Sequence, residues 1–136
     1  MKMNAYLYFK GDCEAAFKFY AKCLNGTIEM MRTHADTPMR DSMSPEWRNK
    51  IVHARMTVGD QLLMGSDAPP EHYEQAGGFS VSLTMDDPSH ADRIFNSLAE
   101  NATVGMPLQK TFWALKFGTL VDQFGIPWII NCAEPY

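Results

Sequence analysis

Apolar positions along the chain switch between a period near 3.6 and a period of 2, and the order of switching predicts the architecture. Met3 to Phe9 is a short strand rich in Tyr, Leu and Phe. Gly11-Asp12 ends it, with Asp12 placed to cap a helix from Cys13 to Leu24. Within that helix Ala16, Phe19/Tyr20 and Cys23/Leu24 recur at three-to-four spacing and predict one buried face. Asn25-Gly26, two residues tolerant of left-handed backbone, stops it, and Thr27 to Thr33 follows as a second strand.

Residues 34–50 form a long polar stretch with two prolines, Met39, Met43 and Trp47. A connection of that length is mobile or functional, and its apolar residues suggest a lid or an interface segment. Ile51 to Val58 and Gln61 to Asp67 pair as a hairpin across Gly59-Asp60. After a linker over residues 68–78, Phe79 to Met85 alternates as a strand. Asp87-Pro88 then opens a second helix whose buried face is Ala91, Ile94/Phe95 and Leu98/Ala99. Val104 to Lys110, a strand beginning near Phe112, and Pro127 to Cys132 across the Asp122-Gln123-Phe124-Gly125 turn complete the pattern.

The order is strand, helix, strand, strand, strand, written twice. Phe19, Asn25, Thr27 and Ile28 correspond to Phe95, Asn101, Thr103 and Val104 at one constant offset, on the same landmarks of both halves. A repeat outranks local propensity in deciding a fold. It predicts an α+β chain of two βαβββ modules, one over about residues 3–67 and one over about 79–133.

Composition removes several function classes. A formal charge of −4 with scattered Lys and Arg offers no basic stripe for nucleic acid. No apolar run approaches the roughly 18 residues of a membrane span. Cys13, Cys23 and Cys132 cannot all pair and have no CxxC spacing, so a cytoplasmic setting is expected. Ten methionines in 136 residues fit adaptable core filling or a plastic apolar ligand cavity.

Three separated motifs carry a resemblance along the whole chain: AYLYFKGDCEAAFKFY, KIVHARMTVGDQLLMGSDAPP and FWALKFGTLVDQFGIPWIINC. In this order they resemble the PhnB-like group of the vicinal oxygen chelate (glyoxalase/bleomycin resistance/dioxygenase) superfamily. The resemblance implies curved mixed sheets with helices on the convex side and a ligand cleft on the concave side. It also implies a homodimer, since superfamily members commonly pair their half-barrels. Some members of the group carry a methyltransferase name, but no glycine-rich dinucleotide-type loop stands in this sequence.

Alternation assigns faces under that fold. Phe79, Val81, Leu83 and Met85 should pack on the helices, which turns Ser80, Ser82 and Thr84 to the cleft. Val52, Ala54, Met56 and Val58 turn His53, Arg55 and Thr57 inward. Trp128, Ile130 and Cys132 go to the core, leaving Ile129 and Asn131 on the cleft side, with Trp113, Leu115, Phe117 and Thr119 also inward. The expected ligand set is His53, Arg55, Met64, Ser80, Ser82, Trp113, Phe117 and Asn131.

The positions that line up with the superfamily's metal ligands are Ala5, Met64, Ser80 and Ile129. None suits Zn²⁺, Ni²⁺ or Fe²⁺, so neither metal nor cofactor is expected. His34, His72 and His90 read as surface histidines. His53, central in a strand, is either a hydrogen-bonded structural imidazole or a ligand contact and general acid/base. Arg55 could hold a carboxylate or phosphate, or pair with an acid at a dimer interface. Asp122 reads as a turn-former, and Asp86-Asp87 as helix-start chemistry. The sequence thus leaves a metal-free binding protein for a small molecule, an enzyme using His53 and Arg55, and a metalloenzyme with a relocated site.

Overall fold

A computed structural model describes residues 1–134 as two compact units, Met1–Glu74 and the segment from Gln75 onward. The first unit contains β1 (Ala5–Phe9), α1 (Cys13–Leu24), β2 (Thr27–Thr33), β3 (Ile51–Val58) and β4 (Gln61–Asp67). The second contains β5 (Val81–Met85), α2 (Pro88–Leu98), β6 (Thr103–Gln109), β7 (Ala114–Val121) and β8 (Pro127–Ala133). Strand order is β1-β4-β3-β2 in one sheet and β5-β8-β7-β6 in the other. Each unit's first strand runs parallel to its last, and the other neighbours are antiparallel. This is the α+β, twice-written βαβββ plan that the hydrophobic pattern predicts.

Both helices leave by the same device. Asn25 after α1 has φ 54° and Asn101 after α2 has φ 55°, left-handed values that asparagine tolerates better than most residues. The two lie 76 positions apart, so the repeat extends to backbone conformation. The helices start differently. Asp87 caps α2 as expected, its carboxylate accepting from Ser89 N at 2.9 Å ahead of Pro88.

Asp12 occupies the cap position of α1 but makes no capping bond. Asp67, the last residue of β4, takes that role: its Oδ1 accepts from Gly11 N at 3.0 Å and Cys13 N at 2.9 Å.

Helix α1 packs on β2, β3 and β4, and buries Cys13, Ala16, Phe17, Tyr20 and Leu24. Phe17 holds the central place expected of Phe19, which is only half-buried. The sheet meets it with Leu7, Phe9, Ala54, Met56 and Leu63. Each large apolar side chain so buried contributes about 1.5–3 kcal/mol. Helix α2 packs on β5, β7 and β8, where Trp128, Ile130 and Cys132 are at most 1% exposed.

Each helix seats one aromatic ring on a strand glycine. A Cβ at Gly65 would lie 2.8 Å from both Leu7 O and Phe17 Cε1, and one at Gly118 would lie 2.7 Å from Phe95 Cε2. Because the Leu7 oxygen is backbone, it cannot step aside as a side chain would. Gly65→Ala should therefore lower unfolding stability by about 1–3 kcal/mol, the usual cost of overpacking. Urea denaturation of the purified variant measures this, and an unchanged midpoint would contradict the packing described.

Among the register shifts in the two sheets, two bear on the faces predicted above. Between Ile28↔Met56 and Met30↔Arg55 the strand β2 carries Glu29 as an extra residue. Between Ala114↔Ala133 and Lys116↔Cys132 the strand β7 carries Leu115 in the same way. Leu115 therefore has no place in the inward set predicted for it. Lys116 falls on the helix side, bound to Asp92 of α2. Phe79 and Ser80 precede β5 rather than belonging to it, and Phe79 is exposed instead of packed on a helix.

Candidate functional site

In each unit the sheet face opposite the helix carries the candidate residues, and cross-strand register groups them. On the first sheet Tyr6, Met64, Arg55 and Met30 form one row across β1, β4, β3 and β2. His53 pairs with Arg32 one step along, and Tyr8 pairs with Ser66. Tyr6 Oη lies 3.1 Å from His53 Nδ1, and the two rings stack at 5.7 Å with 20° between planes. Tyr8 is tilted against Tyr6 at 5.1 Å and is largely exposed. His53, Arg55 and Met64 thus share one face. Tyr6, Tyr8 and Arg32 join them without having been singled out from the sequence.

On the second sheet Thr84, Asn131 and Phe117 form a row across β5, β8 and β7, beside a row of Ser82, Ile129 and Thr119. Trp113 lies just before β7, and its ring meets Phe117 edge-on at 5.3 Å. Phe112, 92% exposed, stands against the other side of Trp113 at 4.6 Å. Asn131 Oδ1 is buried and has no hydrogen-bond partner among the described residues. A buried carbonyl oxygen left unpaired costs about 1–3 kcal/mol, so a donor arriving there gains what the fold leaves unmet. Ser80 does not belong to either row, since β5 begins at Val81.

In the first unit the two positions lined up with the superfamily's metal ligands, Ala5 and Met64, lie on opposite faces of the sheet. Ala5 pairs with Leu63, a core residue, so β1 presents Tyr6 beside Met64 on the open side. Among the described residues no three His, Cys, Asp or Glu side chains stand together as a metal would require.

Two buried carboxylates serve the scaffold. Besides its two bonds at the start of α1, Asp67 accepts from Ile51 N at 2.9 Å through Oδ2. Asp122 Oδ1 accepts from Phe124 N at 2.8 Å and Ile126 N at 3.1 Å, and Oδ2 from Trp128 Nε1 at 2.8 Å. The turn-forming role expected of Asp122 is present, with the indole of β8 added to it.

The segment between β2 and β3 is closed by its own backbone. His34 N donates to Lys50 O and Ala35 N to Arg48 O, and two short 3-10 turns lie between. Both ring nitrogens of His34 and the indole nitrogen of Trp47 are buried with no partner among the described residues. His34 is therefore not the solvated surface residue expected.

The thiols are held protonated. Burial pushes the Cys13 pKa far above its ordinary value, and the Asp67, Asp12 and Glu14 carboxylates push it further. Burial likewise raises that of Cys132, with Asp86 and Asp87 adding to the shift. A thiol raised on folding stabilises the native state fully below its unfolded pKa, near 8.5, and that contribution is lost as pH rises beyond it. Unfolding free energy should then fall above about pH 8.5, by up to about 1.4 kcal/mol per pH unit from Cys13. Urea titrations from neutral pH to pH 10 test this, and Cys13→Ala should flatten the slope.

The fold is that of the glyoxalase/bleomycin resistance/dioxygenase class, the vicinal oxygen chelate fold. A family enzyme of that class from Burkholderia phytofirmans shares the fold at a TM-score of 0.66, with 14% identity over 96% of this chain and 97% of that one. Within the class, the chain belongs to the PhnB-like family, whose description is 3-demethylubiquinone-9 3-methyltransferase and which matches residues 1–131.

Protein YjdN of Escherichia coli is 31% identical over 98% of this chain and 97% of its own. Protein PA1353 of Pseudomonas aeruginosa is 43% identical with a TM-score of 0.90, covering 99% of both chains. A PhnB protein of Bacillus cereus, named as a putative 3-demethylubiquinone-9 3-methyltransferase, is 25% identical with a TM-score of 0.82. It covers 98% of this chain and 100% of that one. Among the described residues no helix is long and apolar enough to cross a membrane.

Proposed function

We propose that this chain binds a small organic molecule on its open sheet faces, without the superfamily metal. The observation that carries the reading is Asn131: an unpartnered, buried Oδ1 in the same row as Phe117, whose ring meets Trp113. A few polar groups set among aromatic and apolar side chains are what small-molecule sites are made of. In this reading the face of the second unit offers Phe117, Trp113, Asn131 and Ser82 as contacts, and the face of the first unit offers His53, Arg55 and Met64.

The methyltransferase in the family description does not enter the reading. The strand-to-helix turn after β1, where a nucleotide-type cofactor would look for backbone donors, gives its Gly11 and Cys13 N–H groups to Asp67.

A thermal-shift series with benzoate, benzamide and other small aromatic probes tests the proposal, since a bound ligand stabilises the native state by mass action. Trp113→Ala should weaken the best probe about tenfold, through lost aromatic contact area. The absence of any stabilising probe, or an undiminished affinity in the variant, counts against it.

One observation favours a second reading, an enzyme acting on a small metabolite. Tyr6 holds His53 through Nδ1 and leaves Nε2 for a proton-transfer role. Turnover lost in His53→Ala with probe affinity kept would select it over binding alone. Superfamily practice also supports a homodimer, and three cysteines without CxxC spacing support a cytoplasmic setting. Light scattering should return about twice the 15.4 kDa chain mass, and a value near one chain rejects the pairing.

A further inference from the structure

We infer that the open face of the first unit is an oxyanion subsite, formed by Arg32, His53 and Arg55, for a carboxylate or phosphate group on the ligand. The inference rests on the binding reading above and names the chemistry of the ligand that the first unit's face takes.

Arg32 pairs with His53 across β2 and β3, which places their Cα atoms about 5 Å apart on one face. Arg55 follows His53 by two residues on the same strand, about 7 Å further along. Three nitrogen-bearing groups thus stand within the span of one small anion with its first contacts. Neither guanidinium is neutralised: the ion pairs among the described residues are Lys18–Glu14 and Lys116–Asp92, and both arginines are exposed. Glu29, the nearest carboxylate along β2, is engaged by Thr57 Oγ1 at 2.9 Å.

Two arginines left without acids on one sheet face are poor scaffold. They serve no cap or buried pair, whereas Arg48, on the neighbouring segment, donates through Nε to the Arg40 carbonyl. A guanidinium presents a planar fork of donors that matches a carboxylate or phosphate in two bonds.

Tyr6 completes the arrangement as a positioning residue. The tautomer in which Tyr6 Oη donates to Nδ1 places the ring proton on Nε2, where it adds a third donor. The exposed Tyr8 ring beside Tyr6 offers a surface for a planar group attached to the anion. The bulge at Glu29 makes the site possible. It shifts the β2 register so that Met30 and Arg32 face the side of Arg55 and His53.

The test is a titration of the full chain with inorganic phosphate, benzoate and benzamide, read by the side-chain Nε–H resonances of arginine and the indole N–H of Trp113. Phosphate and benzoate should saturate shifts at Arg32 and Arg55 while Arg93, an exposed arginine on α2, stays still. Arg32→Ala and Arg55→Ala should each weaken benzoate about tenfold and leave benzamide within about twofold. Arg55→Lys, keeping charge but losing the fork, should recover only part of the loss.

Sodium chloride at matched ionic strength producing the same shifts would overturn the subsite, as would benzoate and benzamide binding equally well. If benzamide moves Trp113 while neither anion moves the arginines, the anion assignment fails and the binding reading stands. If no probe moves either set, both fall. Phosphate binding alone points to a free inorganic anion as occupant, and tighter benzoate to an aryl carboxylate.

Discussion

Asp67→Ala should be among the most destabilising single substitutions in the chain, with an expected loss of about 3–5 kcal/mol. One carboxylate, 5% exposed, accepts from Gly11, Cys13 and Ile51, three backbone donors in two chain segments far apart in sequence. Removing it leaves three N–H groups at a buried strand end without partners, and each orphaned buried donor costs about 1–3 kcal/mol before relaxation. The Cys13 bond among these is also the cap of α1, a role that Asp12 does not fill.

Asp67→Asn is the sharper comparison. Its amide oxygen can keep Gly11 and Cys13, but its NH₂ group then faces the Ile51 N–H donor to donor. About half of the alanine effect is expected. Urea unfolding of both variants checks the order. If Asn and Ala lose equally, the carboxylate acts through its charge and not through the geometry of three bonds.

That role was not legible in the sequence, and the reason is physical. Local rules point to Asp12, because an aspartate immediately before a helix is the usual cap. The actual acceptor comes from 54 residues away from Cys13 and depends on β1 and β4 lying side by side. The same limit applies to the site. Helix bounds, the order of elements along the chain and the open-side positions of His53, Arg55, Phe117 and Asn131 follow from periodicity, since a strand with one buried face must alternate.

Arg32 was hidden by the extra residue Glu29, and Leu115 was misplaced by being an extra residue itself. A bulge changes the count without leaving a mark in hydrophobicity. Tyr6 was within reach: Tyr6 and Tyr8 alternate with the buried Leu7 and Phe9, and that pattern alone puts two phenols on the open face. Where strand alternation is regular, sequence reads the faces of the sheet. Where the chain adds a residue or borrows a distant side chain, only the fold supplies them.

Asp122→Ala should unfold the second unit's turn as Asp67→Ala unsettles the first unit's helix start, with a comparable loss of about 3–4 kcal/mol. Asp122 is 4% exposed, and its two oxygens bind the Phe124 and Ile126 amides and the indole of Trp128. The turn amides and the indole fail differently. Water can reach Phe124, which is half-buried, but Trp128 is 1% exposed and its Nε1–H loses its charged acceptor away from solvent.

Trp128→Phe deletes the indole donor while keeping much of the ring volume, so it should cost less than Asp122→Ala. The double variant should cost less than the sum, because residues sharing one hydrogen bond do not add. A coupling of about 1–3 kcal/mol in that cycle is expected for a charge-assisted bond. Additive losses would mean that Asp122 acts on the turn amides alone.

The effect also reaches the candidate site. Trp128 begins the strand that carries Ile129 and Asn131, and it pairs with Leu120, next to Thr119. Loosening that end of β8 should broaden the Asn131 side-chain amide resonance in the variant well before global unfolding, whereas Asp67→Ala should leave it sharp.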